Sequence, residues 1–421
     1  MMKHSIIRQS LIVTTVFVLG HLFNYALMIT ANRLLTTDVF GRLYAAISLL
    51  NVLYTPAMVL AFLFAQYFTV VFAAGGRDSL VSELKTLFKQ QLIIGALAAF
   101  VAIVALLLFA SALGADAFTL LILVPCAALA VYLYEVLRAS LQGMLAFAAY
   151  SAAWISWCAG QYVLAVIGIV LTGSAWSGMA GILLATVLMV ITMFGLITRG
   201  AGRAAHHGLA ASWPPFNALR AVPFVIGYGM FVLINNIDIL IAYLVLGNDK
   251  LGIYAASAVL PKAIVTATQP VSQVMLPMMA ASGQTRAVGR IALIKALAVC
   301  AVFGAAGAAI LYLGRDVACN SRFGLRSCAP PLLIVLALAA IPLGMLRVLV
   351  VACLALGHKN EMLAPALALI AAAIALLVWG SSAEALAEVY LACCWGFLVL
   401  YAFTMSFSLR RAWAQTRSVA S

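Results

Sequence analysis

The sequence predicts an all-α integral membrane protein of about 12 transmembrane helices in two pseudo-symmetric six-helix bundles, and three observations carry the class. The first is composition. Of the 421 residues, 66% are hydrophobic and only 8% are charged, whereas soluble domains carry about 25% charged residues. The second is a series of apolar stretches near 9–33, 39–73, 91–113, 117–138, 146–172, 177–198, 221–246, 251–280, 291–314, 329–356, 362–380 and 383–409. Each approaches or exceeds the roughly 20 residues a helix needs to cross the hydrocarbon. The third is the placement of positive charge. If the first stretch starts inside, 16 of the 24 Lys and Arg residues fall in inner connections, while Arg33, Arg42, Lys250, Arg315, Arg322 and Arg326 fall in outer ones. Lys262 and Arg347 lie within apolar stretches. Short Lys/Arg-rich loops stay on the cytoplasmic side of a bilayer, so both termini are expected in the cytoplasm.

The elements follow in order. Lys3, His4 and Arg8 precede the first apolar run with no small-residue cleavage site after it, so the run reads as an uncleaved first helix. Six stretches precede and six follow the hydrophilic segment 198–220, which places domains at 1–198 and 221–421 with a cytoplasmic linker at 199–220. His206 and His207 in that linker have no Cys or carboxylate cluster beside them and read as solvated, with no metal site. A weak repeat supports the two halves. Val39-Phe40-Gly41-Arg42-Leu43-Tyr44-Ala45-Ala46 after the first stretch is echoed by Leu251-Gly252-Ile253-Tyr254-Ala255-Ala256 after the seventh, with the glycines out of register by one. Duplicated bundles often place a transport site where the repeats meet. Pro56 in the second stretch, and Pro261, Pro270 and Pro277 in the eighth, each remove a backbone donor and are expected to bend those helices.

The net charge of +13 sits mostly at helix ends, where it suits anionic lipid headgroups of the bilayer rather than nucleic acid. Six of the eight cysteines lie in apolar stretches and read as small buried hydrophobes. Cys319 and Cys328 share the outer connection after the ninth stretch and are expected to form a disulfide. The chain carries no phosphate-binding loop, no metalloprotease or esterase motif and no cysteine metal framework. That pattern points to transport driven by a gradient, with no catalytic residues and no cofactor.

Polar groups in a membrane helix are costly and mark the face turned to protein or water. Lys262, Thr266, Gln269 and Gln273 recur at intervals of four, three and four, which places them on one helical stripe. Gln66, Tyr228 and Asn235 mark similar faces on the second and seventh stretches. Lys262 and Arg347 are too deep to snorkel easily and require a carboxylate or a hydrated cavity, and Asp238 is the buried candidate partner. Two readings stay open: a structural Asp238–Lys262 ion pair, or a cationic cavity for an anionic substrate with Asp238 as a proton- or cation-coupling group. Glu135 and Arg138 read as a local pair at i, i+3, and Glu384 and Glu388 as carboxylates suited to a helix start.

The stretches Leu34-Leu35-Thr36-Thr37-Asp38-Val39-Phe40-Gly41-Arg42-Leu43-Tyr44, Leu141-Gln142-Gly143, Asp238 through Gly247 with Leu251 to Ala256, and Gln273-Val274-Met275-Leu276-Pro277 resemble the polysaccharide-biosynthesis flippases of the multidrug/oligosaccharidyl-lipid/polysaccharide exporter superfamily. The resemblance covers nearly the whole chain. It implies two six-helix bundles around a V-shaped central cavity in a bacterial inner membrane, and movement of an undecaprenyl-diphosphate-linked oligosaccharide by alternating access. A coupling ion, H+ or Na+, and other polysaccharide-assembly membrane proteins are the partners it implies. Within that frame Lys262 and Arg347 suit the diphosphate, Arg33 and Arg42 the outer mouth, and Gln66, Gln269, Gln273, Asn235 and Tyr228 the sugar hydroxyls. A drug or metabolite antiporter of the same superfamily would be expected to prefer an acidic cavity. A glycan polymerase or glycosyltransferase would be expected to carry a larger extramembrane loop.

Overall fold

The computed structural model describes the backbone of residues 2–108, 115–199, 222–272, 286–320, 324–355 and 363–420. These residues form thirteen helices in chain order: α1 (Met2–Leu34), α2 (Thr37–Leu53), α3 (Thr55–Leu108), α4 (Ala115–Gly143), α5 (Phe147–Thr172), α6 (Ala175–Thr198), α7 (Val222–Val245), α8 (Asn248–Ala267), α9 (Arg286–Leu313), α10 (Arg315–Ala318), α11 (Pro330–Ala355), α12 (Leu363–Trp379) and α13 (Ala383–Ala420). Among the described residues there is no strand. A bilayer core leaves no water for open backbone groups, so helices satisfy them within each segment. Ten spans are long and apolar enough to cross a membrane, one of which, Thr37–Val104, holds both the second and the third predicted stretch. The eleventh stretch is the shorter apolar helix Leu369–Trp379.

The second stretch, expected as one helix over 39–73, is two. The chain turns at Tyr54, and Pro56 stands in the first turn of α3, where a missing N–H costs nothing. Further along, α3 breaks at Gly76, whose φ of 67° suits a residue without Cβ. Arg77, next to that break, donates from Nη2 to the Arg199 carbonyl at 3.0 Å and the Ile197 carbonyl at 3.4 Å, so it satisfies the open C-terminus of α6. The eighth stretch is interrupted near Pro270, as its prolines lead one to expect. Pro270 offers no N–H to the carbonyl four residues back; the turn tightens, Thr268 N bonds Val265 O at 3.3 Å, α8 ends at Ala267, and helix resumes over 269–272.

The chain divides into two compact units, Met1–Leu35 with Ala46–Val225, and Thr36–Ala45 with Ile226–Ser421. The expected linker at 199–220, with His206 and His207, lies outside the described residues except for Arg199. What the sequence did not signal is that Thr36–Ala45, the first turns of α2, group with the second unit.

In unit 1, α4 packs on α3 and α6, and α5 packs on α1 and α6. Phe64, Phe68, Leu80, Leu84, Tyr134, Leu137 and Trp157 build its core. In unit 2, α11 packs on α8, α9 and α13, and α12 packs on α13. The fourth long helix of each half thus packs on the third and the sixth, and the fifth on the sixth, which is the internal symmetry expressed as packing. Outward side chains such as Ile93, Leu97, Phe100 and Val101 are exposed in both the geometric and the chemical sense. A continuous apolar exterior of this kind suits lipid as solvent.

Small residues set the closest approaches. A Cβ on Gly181 of α6 would stand 2.5 Å from the Leu164 carbonyl and 2.6 Å from Ala165 Cα, both backbone atoms of α5. Close helix contact through glycine is a main source of association in membranes. Gly181→Ala is therefore expected to destabilise unit 1 by about 1–3 kcal/mol through overpacking. Thermal unfolding of the purified protein in detergent measures this, and an unchanged melting temperature would contradict the contact.

Candidate functional site

Among the described residues, the buried charges of unit 2 are Asp238 on α7, Lys262 on α8 and Arg347 on α11. Asp238 has no exposed side-chain surface, and Lys262 Nζ donates to its Oδ1 at 3.1 Å. The Tyr254 hydroxyl donates to Oδ2 at 3.4 Å, so each carboxylate oxygen has a partner. Lys262 retains 14% of its side-chain surface while Asp238 has none, so Lys262 is the more accessible member of the pair. The Tyr44 ring centroid lies 5.8 Å from Nζ, within the range of a cation–π contact. A small cleft beside the pair is lined by Ala258, Pro261, Val265, Leu336, Leu343 and Tyr390, and the Tyr390 hydroxyl donates to the Ile234 carbonyl at 3.0 Å.

Arg347 is held differently. It is 8% exposed, its Nη1 donates to the Val265 carbonyl at 3.1 Å, and its Cζ lies 4.9 Å from the Phe231 ring centroid. The break in α8 explains the acceptor. Val265 O, the carbonyl of the tightened last turn, takes the Thr268 N–H, the Thr268 hydroxyl at 2.7 Å and the guanidinium. Among the described residues no carboxylate pairs with Arg347, and its buried Nε has no partner. Among the described residues, the interior of unit 2 thus holds two cations, the part-buried Lys262 and the buried Arg347, against the single buried carboxylate of Asp238, which pairs with Lys262 alone.

The other residues singled out from the sequence scatter more widely. Gln269 is buried at 8% exposure, just past the turn at Thr268, where helix resumes. Gln273 lies outside the described residues. Asn235 and Tyr228 are half-buried on α7, with a buried Asn235 Oδ1 that no described group meets. Gln66 and Arg33 are exposed residues of unit 1. Arg42 of unit 2 pairs with Asp38 one turn earlier at 2.6 Å. Cys319 and Cys328 are disulfide-bonded, with Cα atoms 4.8 Å apart. No group of His, Cys, Asp and Glu among the described residues has the makings of a metal site.

Sequence reasoning missed three features. Tyr44 and Tyr254, the tyrosines of the two repeat copies, converge on the Asp238–Lys262 pair from opposite ends. The repeat itself was the available signal. Phe231 under Arg347 had none, being one apolar residue among many. The third is the depth of Arg138: the local pair with Glu135 read from the sequence is present, but it lies inside unit 1 among aromatic rings. Arg138 binds Glu135 at 2.7 Å and lies 5.0 Å from both the Tyr150 and Trp154 ring centroids. That pair is balanced in charge.

Neither a protein-family model nor a curated sequence matches the chain. Solved structures do match in fold. A multidrug resistance MATE family transporter of the MOP superfamily, inward-facing, superposes with a TM-score of 0.69 at 14% identity over 97% of this chain and 99% of that one. The lipid II flippase MurJ, inward closed, gives 0.68 at 13% identity over 95% of this chain and 87% of that one. A MOP superfamily transporter from Pyrococcus furiosus gives 0.57 at 14% identity over 96% and 95%. The chain thus has the helical membrane fold shared by these MOP superfamily transporters and the lipid II flippase.

Proposed function

We propose that the protein is a flippase for an undecaprenyl-diphosphate-linked oligosaccharide, working by alternating access in a bacterial inner membrane with both termini cytoplasmic. The observation that carries this reading is the positive balance of the described interior of unit 2, where Lys262 pairs with Asp238 and the described partners of Arg347 are a carbonyl and a ring. A buried guanidinium that no described carboxylate meets is costly in hydrocarbon and marks a functional position. A diphosphate supplies two concentrated negative charges with acceptor oxygens, the chemistry that a planar guanidinium donor binds best. A carrier of lipophilic cations would place the surplus on the carboxylate side. Asp238 serves as the coupling group for H+ or Na+ in this reading, since it is the carboxylate freed when Lys262 turns to substrate.

The test is ligand-dependent thermal stabilisation of the purified protein. Undecaprenyl diphosphate is expected to raise the melting temperature with increasing concentration, while undecaprenol, which has the same tail and no charge, is not. Stabilisation by tetraphenylphosphonium with none by the diphosphate would overturn the proposal in favour of cation export.

A further inference from the structure

The two copies of the internal repeat meet at their glycines. A Cβ on Gly41 would stand 2.8 Å from Gly252 N and 2.9 Å from Gly252 Cα, and a Cβ on Gly252 would run into the Thr37 carbonyl. All of these are backbone atoms, so only glycine at both positions allows the first turns of α2 to lie against the start of α8. One further bond secures the seat, between the Thr37 and Ser327 hydroxyls at 2.8 Å, and Ser327 adjoins Cys328 of the disulfide. Tyr44 is carried on this segment, and its ring reaches the Lys262 ammonium. Tyr254 is carried on α8 and reaches the Asp238 carboxylate.

We propose that Tyr44 is a positioning residue for Lys262: its ring holds the ammonium on Asp238 while residues 36–45 are seated on Gly252, and unseating that segment releases the ammonium to the substrate. The inference deepens the reading of Lys262 as a diphosphate contact and rests on it. Its geometry is asymmetric in the way such a release needs. Asp238 is fully enclosed and keeps the Tyr254 hydroxyl when Lys262 leaves, whereas Lys262 keeps some exposed side-chain surface. The seat is tied by one neutral hydrogen bond, worth about 1 kcal/mol, and by the buried Phe40, Leu43 and Ala45, so unseating it gives up apolar burial as well as that bond. A cation–π contact depends on the ring face and is indifferent to the phenol hydroxyl. That distinguishes Phe from Leu at position 44.

The experiment measures how fast Lys262 is acetylated by the N-hydroxysuccinimide ester of acetic acid in the purified full chain, read by mass spectrometry and normalised to exposed Lys85. Tyr44→Leu and Gly41→Ala are each expected to raise the rate at Lys262 about tenfold, and Tyr44→Phe to stay within about twofold of the unchanged protein. A wild-type rate in Tyr44→Leu overturns the role of the ring. A Tyr44→Phe rate equal to that of Tyr44→Leu overturns it as well, by moving the effect to the hydroxyl. A wild-type rate in Gly41→Ala overturns the dependence on seating. If Tyr44→Leu does not fold, Gly41→Ala and Tyr44→Phe still give opposite expectations. None of these readings uses a diphosphate, so failure of undecaprenyl diphosphate to stabilise the protein would count against the proposed function and leave the positioning of Lys262 standing.

Discussion

Lys262→Met alone is expected to lower stability by about 3–5 kcal/mol, because it strands a carboxylate with no exposed surface. The remaining Tyr254 hydroxyl, at 3.4 Å, is a weak neutral donor and does not replace an ammonium at 3.1 Å. The double change Lys262→Met with Asp238→Leu is expected to recover most of that loss, since removing both charges removes the desolvation cost along with the attraction. Thermal unfolding in detergent gives the stability arm. Complementation of a flippase-deficient strain, scored by surface glycan and normalised to protein level, gives the functional arm. If Lys262 contacts the diphosphate, the stable double variant still fails to export. Full export by the double variant would reduce Lys262 to a structural partner of Asp238.

Arg347→Gln is expected to behave in the opposite way, with near-normal stability and a loss of export of about tenfold to a hundredfold, the worth of one hydrogen bond to a charged group. The reason is local. Val265 O keeps the Thr268 N–H and hydroxyl when the guanidinium goes, so no acceptor is orphaned, and no described carboxylate loses a partner. Arg347→Lys is expected to retain part of the activity, because it keeps the charge but loses the planar stack on Phe231 and the forked donor. Wild-type export by Arg347→Gln would remove the cationic site from the mechanism.

These two positions also show how far the sequence could be read. Asp238 and Lys262 were legible as candidate partners because charges are so few in the apolar stretches that the pairing had few alternatives. Arg347 was legible as a buried cation, but its acceptor was not. That acceptor is a carbonyl of a turn tightened ahead of Pro270, and a proline predicts a break more readily than it predicts which side chain will use it. The stripe from Lys262 through Gln269 crosses the turn at Thr268; the prolines of that stretch signalled a bend but not its hydrogen bonds.

What the sequence by itself determined is the class, the helical stretches and the short roster of groups costly enough in hydrocarbon to be meaningful. Solvation by a bilayer acts residue by residue, so it leaves its mark in composition, in run length and in the scarcity of charge. Only the tertiary structure decided that Thr36–Ala45 belongs with the second unit, that Gly41 touches Gly252, and that Tyr44 and Tyr254 meet one ion pair from two sides. Those facts depend on how each helix is rotated about its axis and how closely its neighbours approach. In membranes that is set by packing of small and large side chains between helices, a property of pairs that no single apolar stretch records.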